Sequence, residues 1–158
     1  MKKLHKTMQS VILKTAINGV NADNDNRKAL TALMRALNVE PETAIKISPR
    51  NGNSHYNFGE VAECIIRLAY GQDGDKQNRG KADLTYKGHE YEIKAVNRDG
   101  KPSPTIGLNP KTPTLIFANL ASFQRGLYVL PYGQIEWNTS NHMKAKPTLE
   151  KAKLLKAI

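Results

Sequence analysis

The stretch KADLTYKGHEYEIKAV, residues 81–96, limits the fold more than any other part of the chain. Leu84, Tyr86, Tyr91 and Ile93 alternate with polar residues on either side of Lys87-Gly88. Alternation of period two around a two-residue turn with Gly at its second position predicts a β-hairpin. The turn pairs Tyr86 with His89, Thr85 with Glu90, Leu84 with Tyr91 and Asp83 with Glu92. Ala82, Leu84, Tyr86, His89, Tyr91, Ile93 and Ala95 then share one face, and Asp83, Thr85, Glu90, Glu92 and Lys94 share the other. Directly opposed residues have Cβ atoms roughly 5 Å apart, so two like charges are expected face to face, an arrangement that is destabilising by itself.

Two readings account for this. In the first, the polar face is solvated and Lys94 partly neutralises the two acids. A one-residue slip in register would also separate the carboxylates. In the second, a divalent cation lies between the carboxylates and offsets their repulsion. Hard oxygen donors of this kind suit Mg²⁺, Mn²⁺ or Ca²⁺.

The distribution of charge favours the second reading. The 158 residues carry a net charge of +10 from 24 Lys and Arg against 14 Asp and Glu. Residues 1–57 hold nine basic side chains against four acids, and residues 97–158 hold nine against three. Residues 58–96 hold six against seven, so half of all the acids fall in about a quarter of the chain. An acidic centre between basic flanks suits a metal site that engages a polyanionic phosphate backbone. The single cysteine, Cys64, excludes an internal disulfide and a Cys-rich zinc site, and the four histidines show no metal-ligand spacing. The basic first residues lack a continuous apolar run, so neither a signal peptide nor a membrane span is expected, and the chain reads as soluble and intracellular.

The length suits a single domain of the α/β class. Residues 3–17 predict an amphipathic helix, and residues 27–37, with Ala29, Leu30, Leu33, Met34 and Leu37 as the apolar stripe, predict a second one. Together with a turn at Pro41 they make residues 1–57 a helical N-terminal part. FGEVAECIIRLAYG, residues 58–71, gives the strongest helical pattern. Phe58, Val61, Ala62, Ile65, Ile66 and Ala69 form its buried face, Glu60, Glu63, Arg67 and Tyr70 its polar face, and Gly71 ends it. After the hairpin, residues 97–113 form a long Pro- and Gly-rich loop. TLIFANL then reads as a buried strand, and GLYVLPYGQIEW as a second hairpin turning near Tyr132-Gly133. The core therefore spans residues 58–137, and residues 138–158 are expected to end in a basic helix.

The order of helix with glutamates, strand with Asp83, turn, and strand with Glu92-Ile93-Lys94 resembles the PD-(D/E)XK nuclease superfamily. Asp83 matches the first acid, and Glu92 and Lys94 match the E-x-K tripeptide on the following strand. Gly59 and Glu63 match the helical Gly with a Glu four residues later. Lys81-Ala82-Asp83 stands where the family has Pro-Asp. The resemblance covers about residues 58–120 and implies a restriction-endonuclease-like core, a mixed sheet with flanking helices, here with an N-terminal helical extension. It implies that Asp83 and Glu92 bind Mg²⁺, for which Mn²⁺ substitutes, with the Ile93 carbonyl as a backbone ligand. Lys94 would position or deprotonate the attacking water, and Glu63, or else Glu60, would complete the outer coordination. The implied activity is hydrolysis of phosphodiester bonds in DNA.

Lys81, Arg98, Lys101 and Lys111 flank this centre and are candidate phosphate contacts, each with an ordinary surface role as the alternative. Gln124 and Tyr128 fit a Q-x-x-x-Y pattern at a strand start, where coincidence is the simpler explanation. A non-catalytic nucleic-acid-binding protein and an RNA-directed nuclease or toxin are the competing functions. Cutting both strands of a duplex takes two active sites, which makes a homodimer compatible with the reading.

Overall fold

The computed structural model describes residues 8–20, 24–49, 55–72, 82–97, 113–130, 149–150 and 152–158. The chain divides into two compact units, Met1–Gln77 and Asn78–Ile158. It is of the α/β class, with helices and a mixed five-stranded sheet. No helix among the described residues is long and apolar enough to cross a membrane.

The first unit comprises strand β1 (Gln9–Ile12), helix α1 (Leu13–Asn18), helix α2 (Asn24–Ala36), strand β2 (Ala44–Ile47) and helix α3 (Phe58–Ala69). Helix α2 buries Ala29, Leu30, Leu33 and Met34, the stripe expected from its spacing. The N-terminus departs from expectation. Residues 9–12 are extended, and they pair antiparallel with β2 from Gln9–Ile47 to Ile12–Ala44. The helix expected over 3–17 is thus confined, among the described residues, to α1, and the N-terminal part is not purely helical. The reason is non-local. Alternation in Ala-Ile-Lys-Ile buries Ile45 and Ile47 on one face of β2, and β1 supplies the partner that a lone four-residue strand lacks.

Helix α3 starts where Asn57 caps it, its side chain accepting a hydrogen bond from the Glu60 N–H at 3.1 Å. It ends in a left-handed turn at Gly71, φ 78°, with Gly71 N–H donating to the Leu68 carbonyl and Gln72 N–H to the Arg67 carbonyl. These two bonds form a Schellman close, which satisfies carbonyls left over at the helix end.

The second unit is the sheet β3 (Leu84–Tyr86), β4 (His89–Val96), β5 (Thr114–Ala118), β6 (Gly126–Leu130) and β7 (Lys153–Ala157), ordered β3-β4-β5-β6-β7. The hairpin register is the expected one: Tyr86–His89, Thr85–Glu90 and Leu84–Tyr91. Lys87 and Gly88 both have positive φ, 49° and 78°, which makes the turn type I′ and matches the twist of the strands. The Lys87 ammonium lies 5.3 Å from the centre of the Tyr86 ring, a cation–π contact that helps hold a non-glycine residue in this conformation.

β4 and β5 are parallel, with Glu92–Thr114, Ile93–Leu115, Lys94–Ile116, Ala95–Phe117 and Val96–Ala118 in register. Parallel neighbours require the chain to return to the same end of the sheet, which accounts for the long connection over residues 97–113. β5 is the central strand and is buried at every position. One face of the sheet buries Leu84, Ile93, Leu115, Phe117 and Leu127. The other packs Val96, Ile116, Ala118, Tyr128 and Leu130 with Leu120 and Leu149.

The basic C-terminal helix does not run to the end of the chain as expected: Leu149 and Glu150 are helical, but Lys153–Ala157 is a strand antiparallel to β6. Leu149 reaches the core cluster, and the following residues satisfy the open edge of β6. Every residue of β7 is exposed, so backbone pairing rather than side-chain burial fixes it there. Ile158 and Arg125 add two bonds of 3.0 Å, from Ile158 N–H to the Arg125 carbonyl and from Arg125 Nε–H to the Ile158 carbonyl. Lys153 and Lys156 place charge on this edge, a common guard against pairing with another chain. The return arm of the second hairpin, beyond Leu130, lies outside the described residues.

Gly126 shows how closely β7 approaches. A Cβ there would lie 2.6 Å from the Lys156 carbonyl oxygen and 2.8 Å from Leu154 Cδ1. Gly126→Ala must push β7 away from β6 and is expected to cost about 1–3 kcal/mol. Urea denaturation measures this, and an unchanged midpoint would show that β7 contributes nothing to stability.

Candidate functional site

The expected site is centred on β4. Glu92 and Lys94 alternate with Ile93, so both project from the face of β4 that ends in the buried Val96. Both are half-buried, whereas Glu90 and Thr85 near the turn are exposed. Glu92 and Lys94 therefore lie at the border between solvent and an apolar core, and the face is not solvated along its length. Charges at such a border are screened less than charges at a surface.

Asp83 is placed differently from the expectation. The ladder between β3 and β4 stops at Leu84–Tyr91, and Asp83 lies in a bend before β3 without a ladder partner in Glu92. Its Oδ2 accepts a hydrogen bond from the Ile93 N–H at 3.0 Å. The carboxylate thus takes the position of the next backbone acceptor and closes the end of the hairpin. A carboxylate is the better acceptor because charge-assisted bonds are stronger than neutral ones. The result keeps Asp83 beside the strand segment that carries both Glu92 and Lys94. In an extended strand the N–H and C=O of one residue point to the same side, so the Ile93 carbonyl faces the β3 edge where the Asp83 carboxylate sits. The Glu92 N–H points the other way and donates to the Pro113 carbonyl at 2.9 Å.

Glu63 belongs to the first unit. It was expected on the polar face of α3, but it is 9% exposed, and Arg67, one turn later, is 5% exposed. The two strands missed in the sequence explain the difference. Glu60, Glu63, Cys64 and Arg67 line a cleft of about 150 Å³ with Met8 and with Lys46, Ile47 and Ser48 at the end of β2. Met8 and the end of β2 therefore stand against the polar face of the helix.

Lys81, Arg98, Lys101 and Lys111 lie outside the described residues. So does Trp137. Tyr128 has a structural role. Its hydroxyl donates to the Gln124 carbonyl at 2.7 Å, and burial raises its pKa above the ordinary 10.0. It therefore stays protonated at neutral pH and is no base or nucleophile there. The acceptor is the main-chain carbonyl of residue 124, so the bond uses the tyrosine of the Q-x-x-x-Y pattern but not the glutamine side chain.

One residue was missed. Thr114, the first residue of β5, is fully buried and pairs with Glu92 across the parallel ladder. No local pattern marks it, since the 92–114 register depends on a parallel pairing. Among the described residues, no group of three or more His, Cys, Asp and Glu stands together to hold a metal ion. Among the described residues, oxygen donors on the strand segments beside Glu92 include the Asp83 carboxylate, the Ile93 carbonyl and the Thr114 hydroxyl. Comparison with protein-family models, curated proteins and solved structures found no match.

Proposed function

We propose that the chain is a metal-dependent nuclease that hydrolyses phosphodiester bonds in DNA, with its site on β4. The observation that carries this reading is the placement of Glu92 and Lys94 on one half-buried face, with the Asp83 carboxylate bonded to the N–H of the residue between them. The donor set fits Mg²⁺. That ion keeps several waters and is commonly held by one or two carboxylates plus substrate phosphates, so two protein carboxylates suffice. Asp83 and Glu92 would hold it, with the Ile93 carbonyl as a main-chain donor. When bound, the ion polarises the scissile phosphate and lowers the pKa of a bound water.

The remaining work belongs to the chain. Lys94 orients the attacking water through its ammonium donors and stabilises negative charge that grows on the phosphate. The bond from Ile93 N–H holds Asp83 in one orientation before substrate arrives, which limits the reorganisation needed on binding. The apolar cluster beyond Lys94 keeps that end of the site dry, and electrostatic interactions strengthen accordingly. The excess of positive charge outside residues 58–96 supplies attraction for the phosphate backbone.

The test is incubation of the protein with plasmid DNA, nicked DNA, junctions and RNA, in Mg²⁺ and in EDTA. Cleavage of DNA only with Mg²⁺ is expected, and cleavage confined to RNA would move the protein to the RNA-directed class. Binding measured in Ca²⁺ should weaken steeply as salt rises, with the logarithm of affinity falling linearly in the logarithm of salt concentration. Salt-independent binding would remove the phosphate-backbone role. Binding without cleavage of any substrate in any divalent metal would leave a non-catalytic binding protein.

A further inference from the structure

Thr114 has 0% exposure, and its Oγ1 has no hydrogen-bond partner among the described residues. A buried hydroxyl left unpaired is destabilising, and each such group in a folded protein calls for an explanation. Its neighbours across the ladders are Glu92 on β4 and Leu130 on β6. Residues paired across a ladder point to the same face, and adjacent strands run about 4.8 Å apart. The hydroxyl therefore shares its face with Glu92, and with Lys94 one step along β4. Leu130 offers no acceptor, and an ammonium offers only donors. Of these three neighbours, Glu92 is the one that can accept the hydroxyl proton.

We propose that Thr114 is a positioning residue for the cation site: its hydroxyl donates to the Glu92 carboxylate when that side chain turns to hold a divalent cation, and fixes which oxygen faces the ion. The inference rests on the assignment of Asp83 and Glu92 as cation ligands. Partners of this kind, bonded to a ligating carboxylate, set its orientation, and their loss typically lowers metal affinity about 10- to 100-fold. The unpaired hydroxyl is then a cost borne by the cation-free protein and removed on loading, a stability loss accepted for function.

This gives a signature that a purely structural threonine lacks. Thr114→Val replaces the hydroxyl by a methyl group of similar size and keeps a strand-favouring side chain. The cation-free variant should melt about 2–4 °C above wild type, yet bind Mn²⁺ about 10- to 100-fold more weakly in calorimetric titration of the full chain. Thr114→Ser should restore the affinity. In a Glu92→Gln background, Thr114→Val should cause no further loss, because the carboxylate it acts through is gone. Thr114→Ala repeats the titration should valine strain the strand. If wild type binds Mn²⁺ and the valine and alanine variants bind it equally well, Thr114 has no positioning role and the assignment of Asp83 and Glu92 stands. If wild type binds no Mn²⁺, that assignment fails and takes the role of Thr114 with it.

Discussion

Lys94→Ala is expected to cleave DNA about 10²- to 10⁴-fold more slowly than wild type while binding it nearly as well. The range is that of a positioned acid–base or charge-stabilising group. Binding should persist because one positive charge among 24 is removed. Lys94 is half-buried and lies before the apolar cluster that begins at Val96, so its truncation should leave the sheet folded. Glu92→Ala should abolish cleavage, because one of the two carboxylates proposed to hold the cation is lost. In metal-free buffer the same change removes a repulsive charge from the phosphate path, so binding should hold or tighten. Single-turnover cleavage and binding in Ca²⁺ separate the two effects. Should both variants cut as fast as wild type, the catalytic role of this face is wrong.

What could be read from the sequence follows the range of the interactions. The β3–β4 hairpin was legible in every registered pair because its information is local: alternation plus a two-residue turn with Gly88 at its second position. Helix α3 was legible for the same reason, from its apolar spacing and the Gly71 that ends it, whereas the Asn57 cap at its start came only with the structure. The strands β1, β2 and β7 were not. Each is four or five residues long and owes its conformation to a distant partner: β1 and β2 to each other, and β7 to β6. The segments holding β1 and β7 also carry lysine, leucine and alanine, which favour helix when nothing competes. Missing this pair had a further effect, since Lys46 and Ile47 of β2, with Met8 just before β1, help line the cleft that holds Glu63 and Arg67. The site was legible in part. Glu92 and Lys94 share a face as the pattern requires, but a side-chain hydrogen bond took the place of the ladder pair drawn for Asp83. Thr114 could not be found at all, because parallel register across residues 97–113 has no local signature.

Asp83 is expected to show two separable roles, since one carboxylate both closes the hairpin and carries charge to the site. Asp83→Asn keeps an oxygen able to accept from the Ile93 N–H and removes the charge. Asp83→Ala removes both, and leaves a partly buried N–H without its acceptor at the end of the β3–β4 ladder. The alanine variant should therefore lose about 1–3 kcal/mol of stability in urea denaturation, and the asparagine variant should stay much closer to wild type. Cleavage should fall in both by a similar factor, at least the 10²-fold or so expected for Lys94→Ala, because neither side chain is an anionic oxygen ligand. Divergence in stability with convergence in activity is the outcome that assigns both roles. An asparagine variant that cuts at the wild-type rate would reduce Asp83 to a hairpin clasp. Equal stability of the two variants would show that the 3.0 Å bond holds nothing.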